Sequence, residues 1–455
     1  MFSRKQLAAI ILPLLLQNLL SIAIGMADSI MVSNKGDAAF AGVSLVNSLD
    51  AVLVTLFSAL SAGGSVVLAQ AMGRKDQDYA CNAAKQMLYA TTMAAASITF
   101  IVLVVRVPLL KLLFGEVEAD VMKNALAYFF FVALSFPFLA IERSIAATLR
   151  AQGDSTTSLM ISILMNFVNI GGNALLIYVV DLGAMGAAIA TLFSRAIGAF
   201  IKLIIIHNQR RYIYISHLLR YRPDGAMIKA ILRIGVPNGI ENTMFQFGRL
   251  MTSSLVSSLG TVAIAANATA LSIANIQYSA GSAIQNSMVA VVGRCVGARE
   301  KEQAKRYTYL LLGFSYVVII LVVILLCIFA TPLLRFYGRT GETLEIARRL
   351  LLYHSVVSVF LWPVAFCLPP AFRSASDVKF TMVVSTFSMW VFRVALAYLM
   401  AQETVSLFGF LSFRGFGWGI MGVWIAMTVD WLFRFVLFLT RLLSGKWLSK
   451  CRKSV

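Results

Sequence analysis

A single carboxylate, Asp28, interrupts an otherwise apolar run, QLAAIILPLLLQNLLSIAIGMADSIMVS, from Gln6 to Ser33. The run is long enough to cross a bilayer, because about 20 helical residues at 1.5 Å rise span the hydrocarbon. A carboxylate at the centre of such a helix costs about 2.5–3.5 kcal/mol on insertion scales. It is therefore expected to face a bundle interior and to bind a proton or a cation there. The competing account makes Asp28 an anchor at the end of the span. Gln17 and Asn18 add polar groups to the same run, and Pro13 adds a break in its hydrogen bonding.

Two further sets could do chemistry. Asn166, Asn169 and Asn173 recur at spacings of three and four, so one helical face carries all three amides. They could complete a polar cavity around Asp28, or simply bond neighbouring helices. Glu241 and Arg249 stand two turns apart on a later apolar segment and share a face. Glu241 is expected to pair with Arg249, Arg233 or the Arg143 region as a lock, with contact to a cationic substrate as the alternative. Gln246, Gln285 and Asn286 are the remaining polar candidates for a substrate cavity. Enzymatic chemistry has little to stand on. His207, His217 and His354 are far apart, and no acidic metal motif or nucleophile elbow occurs. The five cysteines are scattered and suggest neither a metal site nor a disulfide framework.

Several intramembrane polar residues read as structural. His354 is expected to be packed rather than to carry protons. Asp430 and Arg434 are spaced to pair within one helix. Arg195 and Arg393 are assigned the same structural role. Asp50 and Asn47 are placed at a solvated outer mouth. Arg150 with Asp154, and Arg373 with Asp377, fall in corresponding loops, where capping and loop closure are expected.

The elements that must position these groups follow from composition. Of 455 residues, 59% are hydrophobic and only 13% charged, with mean hydropathy +0.82, whereas soluble domains carry about 25% charged residues. The chain is an integral membrane protein of the all-α class, since its spans are continuous apolar runs rather than alternating ones. The net charge of +19 does not indicate nucleic acid, because membrane proteins concentrate Lys and Arg in cytoplasmic loops. The basic N-terminus mimics a signal peptide, but its apolar run is too long and many spans follow.

Twelve transmembrane helices are expected, near 7–32, 44–72, 82–105, 124–148, 157–180, 184–206, 229–256, 262–293, 307–330, 350–371, 379–400 and 418–440. With the N-terminus inside, 23 Lys and Arg fall in inside segments and 9 in outside ones, which places both termini in the cytoplasm. The predicted organisation is an N-lobe over 1–206, a basic cytoplasmic linker over 207–228, a C-lobe over 229–443 and a basic tail over 444–455. The halves repeat at one constant offset, which pairs Pro13 with Pro237, Asn18 with Asn242, Gly36 with Gly260 and Gly73 with Gly297. LRAQGD at 149–154 faces FRSASD at 372–377, and GAMGAAIA at 183–190 faces GIMGVWIA at 419–426. The second half holds extra residues in the outside loop 401–417. Six-span halves of equal orientation imply a pseudo-two-fold along the membrane normal, a transporter architecture with its site between the repeats. In this alignment Asp28 pairs with Thr252 and Gln17 with Glu241.

At these residues the chain is similar to the multidrug and toxic compound extrusion (MATE) family, within a wider group that also holds lipid and polysaccharide flippases. The segments that carry the likeness are GMADSIMVS (25–33), AQAMGRKD (69–76), LRAQGDSTTS (149–158), NFVNIGGNALLI (166–177), GAMGAAIATLFS (183–194), RIGVPNGIENTMF (233–245) and VGRCVGAREKE (292–302). The resemblance implies two lobes forming a V, working by alternating access. It implies export of organic, often cationic, compounds across the plasma (inner) membrane against inward H⁺ or Na⁺, with no cofactor and a monomeric chain. It implies that Asp28 is the coupling acid, with Asn169, Asn173, Thr191 and Ala187 beside it. Binding of the ion would bend the first span near Pro13 and Gly25 and release the drug outward.

One departure bears on the ion. Where sodium-coupled relatives carry a second Asp, this chain has Asn173. One carboxylate among amides and a hydroxyl is a weaker oxygen cage, which favours protons over sodium. Nineteen Met and 31 Phe suit an adaptable cavity and equally an ordinary membrane core. The neighbouring alternative is a flippase for a lipid-linked sugar, which would need a more cationic cavity; Arg249 and Arg195 are its only hints.

Overall fold

The computed structural model describes residues 2–115, 118–216, 218, 221–407 and 411–452. His217, and with it two of the Lys and Arg counted as inside, Arg220 and Lys453, lie outside the described residues. The chain divides into two compact units, Met1–Gly239 and Ile240–Val455.

Unit 1 holds α1 (Arg4–Ser33), α2 (Asp37–Arg74), α3 (Gln77–Phe114), α4 (Ala119–Leu134), α5 (Phe136–Ala151), α6 (Ser155–Asn173) and α7 (Gly183–His207). It also holds the first part of α8 (Gly225–Ser257), within which the boundary falls. In unit 2, α9 (Thr261–Gly297) and α10 (Lys301–Phe336) are followed by α11 (Gly341–Trp362), α12 (Pro369–Ser374), α13 (Val378–Ser388), α14 (Leu396–Ala401) and α15 (Gly419–Leu443). Three π-helical turns are built into this framework. Ala174–Val179 extends α6, Pro363–Cys367 joins α11 to α12, and Met389–Ala395 joins α13 to α14.

Helical stretches therefore occupy each of the twelve expected positions. Among the described residues, eight are long and apolar enough to cross a membrane, and a ninth results if α4 and α5, bent by 44°, count as one span. The bend has a local cause, since Pro137 sits at the start of α5 and supplies no backbone N–H. The loop over 401–417 that lengthens the second half includes a short antiparallel hairpin, β1 (Thr404–Leu407) with β2 (Leu411–Arg414).

The repeat is visible in the backbone. Gly36 and Gly260, at φ 106° and 95°, precede α2 and α9. Lys75 and Arg299 adopt left-handed φ values of 59° and 61°. The next residues, Asp76 and Glu300, each return their N–H to a carbonyl five residues back, Ala71 and Cys295. Gly153 and Ser376 repeat the pattern at φ 81° and 63°, with Asp154 bonded to Leu149 and Asp377 to Phe372. These are Schellman closures, which satisfy the last carbonyls of each helix.

The acid after two of these turns also opens the next helix. Asp76 accepts from the Tyr79 N–H at 3.0 Å, and Asp154 accepts from Thr157 at 3.0 Å. Arg211 reaches Asp154 at 2.6 Å, so the basic stretch after α7 folds back on unit 1. The same stretch is held by Gln152 on the Ile213 carbonyl at 3.0 Å, Gln86 on the Arg222 carbonyl at 2.7 Å and Asn82 on Asp224 at 3.1 Å. Burial works to raise the Asp154 carboxyl, but the bonds from Thr157 and Arg211 outweigh it and hold the group below its ordinary value. A lowered carboxyl stabilises the fold above the unfolded value and ceases to do so as pH falls through the folded one. Asp154→Asn should therefore cost about 1 kcal/mol at neutral pH. That gap should narrow below about pH 4. Thermal unfolding of both proteins across pH checks this; a gap constant with pH would contradict it.

Small residues set the helix spacing. A Cβ on Gly63 of α2 would stand 2.6 Å from the Gly235 nitrogen and 2.7 Å from the Ile231 carbonyl, both on α8. Backbone cannot swing aside as a side chain can. Gly63→Ala should lower stability by about 1–3 kcal/mol, the usual range for overpacking. A melting curve of the purified variant unchanged from wild type would contradict this close approach.

Candidate functional site

The α1–α6–α7 packing of unit 1 brings the five expected coupling residues into one cluster. Asn173, at the end of α6, donates from Nδ2 to Asp28 Oδ1 at 2.7 Å. Asn169, one turn earlier, donates to Thr191 Oγ1 on α7 at 3.3 Å. Thr191 in turn donates to the Ala187 carbonyl at 2.9 Å. With its amide turned over, Asn169 instead places its nitrogen 3.0 and 3.1 Å from the two Asp28 oxygens. Amide orientation is set by the hydrogen-bond network, so both arrangements are open to it. Asn173 Oδ1 is buried and accepts no hydrogen bond. The spacing of four that puts Asn169 and Asn173 on one face of α6 delivers both amides to the same carboxylate.

What sets Asp28 apart is the charge around it. Among the described residues, the other two carboxylates set in from the helix ends of unit 1, Asp50 and Glu142, are each met by a cation. Asp50 on α2 forms a two-pronged pair with Arg195 on α7 at 3.2 and 3.0 Å, and Arg195 also donates to Ser135 at 2.8 Å. Glu142 on α5 pairs with Lys202 on α7, with Arg143 at 3.4 Å as a second cation. Asp28 makes no ion pair among the described residues. A half-buried carboxylate held only by neutral groups is a place where a proton or a metal cation can bind. No cluster of three or more His, Cys, Asp and Glu residues suited to a metal occurs among the described residues.

The expected substrate residues are distributed more widely. Gln17 donates to Ser162 on α6 at 2.9 Å, about three turns along α1 from Asp28, and Asn18 is half-buried on the same helix. In unit 2, Glu241 and Gln285 line one cavity of about 520 Å³ with Phe245, Phe366, Arg373 and Arg434. Arg249 lines another, of about 470 Å³, with Thr252, Asn267, Arg393 and Trp424. Gln246 is half-buried and lines neither, and Asn286 is exposed with its amide on the Ser282 carbonyl of its own helix at 3.1 Å.

Two expectations about pairing are corrected. Glu241 pairs with Arg373 at 3.1 Å, not with Arg249, Arg233 or the Arg143 region. Asp377, expected to cap and close its loop, bonds Arg441 at 2.7 Å and makes no side-chain capping bond to α13. Asp50 is no solvated mouth: it and Arg195 have side chains only 17% and 15% exposed, and Asn47 accepts from Tyr128 at 3.1 Å. The Asp430–Arg434 pair is present at 2.8 Å, and His354 is packed, bonded to Tyr278 at 2.7 Å within a cage that includes Trp424 and Trp431. The Glu142–Lys202 pair was not foreseen. Its only sequence signal is that both are ionisable residues on apolar spans.

Comparisons with known proteins bear on the family and the fold. The MatE family model matches twice, over 13–175 and 237–399, so the two matches begin at the paired prolines of the repeat. A relative from Thermotoga maritima named "Probable multidrug resistance protein NorM" is 27% identical over 98% of this chain and 93% of its own length. The "Uncharacterized transporter YisQ" of Bacillus subtilis is 25% identical over 96% of this chain and 94% of its own. Among solved structures, one described as "Crystal structure of MATE in the bent conformation" superposes with a TM-score of 0.86 at 20% identity, covering 99% of this chain and 96% of that one. A second, "Outward-facing conformation of a multidrug resistance MATE family transporter of the MOP superfamily", gives 0.87 at 20% identity over 99% and 97%. With a family match over most of its length, in two copies, on a multi-pass helical membrane fold, the chain belongs to the MatE family, the multidrug and toxic compound extrusion transporters.

Proposed function

We propose that this protein is a secondary active exporter that moves organic compounds out of the cell by alternating access, in exchange for inward protons. It would sit in the plasma (inner) membrane with both termini in the cytoplasm. The observation that carries the reading is Asp28, an uncompensated carboxylate among Asn173, Asn169 and Thr191 within a membrane fold. The relatives named as multidrug resistance proteins support the export direction and the substrate breadth.

Protons are favoured over sodium on geometry. Both amides can turn their nitrogens toward Asp28, so the carboxylate is met by donors. A sodium ion would need oxygens there, with the amides reversed. In operation, protonation of Asp28 would remove the acceptor charge to which these amides donate and loosen α1 from α6. Pro13 gives α1 a point at which to bend, because it cannot donate to the carbonyl four residues earlier. At roughly 150 mV each proton supplies about 3.5 kcal/mol. That is enough for a few-hundred-fold gradient at one-to-one exchange.

The test is ethidium accumulation by everted vesicles that hold the protein. An inside-acid pH gradient should drive it, and an inward-directed excess of sodium inside the vesicles, without a pH gradient, should not. Drive by sodium alone would overturn the proton assignment, and no drive by either would overturn export of this class of compound.

A further inference from the structure

The position that pairs with Asp28 in the repeat is Thr252, and it lies in a setting of opposite sign. Thr252 lines the 470 Å³ cavity of unit 2 with Arg249, Ser253, Asn267, Arg393 and Trp424, and no carboxylate is among its lining residues. The charge beside it does not balance. Among the described residues, Asp430 is the carboxylate that Arg393 and Arg434 pair with; Arg434 holds it at 2.8 Å while Ser388 donates to it at 2.5 Å. Arg393 approaches the same carboxylate only at 3.6 Å. Arg249 makes no ion pair among the described residues. Arg434 and Arg393 thus share one carboxylate and Arg249 has none, on helices of a membrane protein, where unmatched charge is costly.

The remaining groups are arranged to receive an acceptor. Trp424 Nε1 donates to Asn267 Oδ1 at 3.0 Å, so the capacity left to the Asn267 amide is its NH₂. One Arg393 nitrogen rests 3.1 Å from Met427 Sδ, a weak acceptor that an oxyanion would replace. The rest of the wall is apolar and includes Val256, Leu271 and Val423. A polar end made of donors beside an apolar wall is the usual form of a small-molecule site. Guanidinium groups suit carboxylate, sulfonate or phosphate oxygens because their N–H groups match them in pairs.

We propose that this cavity binds the anionic group of an amphiphilic organic acid, held by Arg249, Arg393 and Asn267, with its apolar body against Trp424 and the aliphatic wall. The proposal deepens the export reading by giving the substrate an acidic end; binding itself does not depend on that reading. The same chemistry could come from a free organic acid or from an anionic lipid headgroup.

The full chain in phosphatidylcholine nanodiscs is tested by equilibrium dialysis with 2-naphthoate and with the size-matched cation 2-naphthylmethyl-trimethylammonium. Naphthoate should bind at least tenfold more tightly than the cation. Arg249→Met should lose at least tenfold for naphthoate and change cation binding little; Arg249 holds no carboxylate, so its loss leaves the Asp430 cluster intact. Arg249→Lys should recover part of the loss. Equal affinity for both probes, or naphthoate binding untouched by Arg249→Met, would overturn the proposal. Adding phosphatidylglycerol to the discs separates the sources: competition identifies a lipid headgroup, and its absence a free acid. If ethidium is exported while naphthoate does not bind, this inference alone fails. If naphthoate binds as described and no compound is exported, the export reading alone fails.

Discussion

Asp28→Asn should abolish gradient-driven ethidium accumulation by everted vesicles, taking the steady-state ratio from the few-hundred-fold that one proton can support down to about one. The substitution keeps the size and the hydrogen-bonding shape of the side chain. Asn173 can still bond to it, and the α1–α6 contact need not be lost. What disappears is a carboxylate set in from the helix ends that, unlike Asp50 and Glu142, has no cation of its own among the described residues. Asp50 and Glu142 cannot replace it, since Arg195 and Lys202 already satisfy them. An Asp28→Asn protein that folds, binds substrate and still accumulates ethidium against a gradient would remove Asp28 from the mechanism. Asp28→Glu is the useful companion, because it preserves the charge and should retain partial coupling.

The second large effect lies in the pair of Glu142 and Lys202. The Lys202 side chain is 0% exposed and that of Glu142 8%. Removing one member of a buried pair costs about 3–5 kcal/mol, because the other remains buried and unmatched. The two single variants should differ in size. Lys202→Met leaves Glu142 with Arg143 at 3.4 Å as a remaining cation. Glu142→Gln leaves a fully buried ammonium with no carboxylate, near Arg143, and should be the more destabilising. The double variant Glu142→Gln/Lys202→Met removes both charges and should recover most of the loss, as buried pairs exchanged for neutral groups of similar volume often do. Melting temperatures of the four proteins in one detergent decide the matter. Additive losses in the double variant would mean that the two residues act separately.

What the sequence could reveal depended on the distance over which a signal travels. The Asp28 cluster was legible because helical spacing places Asn169 and Asn173 on one face, and because each half carries its motifs in order. The cap at Asp154 was legible because an acid after a left-handed turn is local chemistry, although Asp377 in the corresponding loop makes no such bond. Cross-helix pairing was not. Asp50 and Arg195 stand 145 residues apart, and Glu241 and Arg373 132 apart. Spacing within one helix says nothing about which neighbour arrives from elsewhere, so Arg249 seemed the natural partner for Glu241. The π-helical turns were equally hidden, because a shift in hydrogen-bond register leaves the composition of a span unaltered. Composition alone marks fewer spans among the described residues, since α8 and α9 carry polar residues along much of their length.

The four matched turns, at Lys75, Gly153, Arg299 and Ser376, speak to ancestry. Three of them hold a left-handed backbone without glycine, at a cost of about 1 kcal/mol each. The residues at paired turns differ, Lys against Arg and Gly against Ser, while the hand of the turn and its closing bond are the same. A duplicated gene has thus kept the bends of its scaffold and let the side chains drift. The two copies were then free to part in chemistry, so that the position holding a lone acid in the first descendant, Asp28, became in the second a threonine beside two arginines, Thr252. On this view the carrier is a pair of siblings with divided labour, and a functional ancestor would have been a dimer of identical six-helix chains.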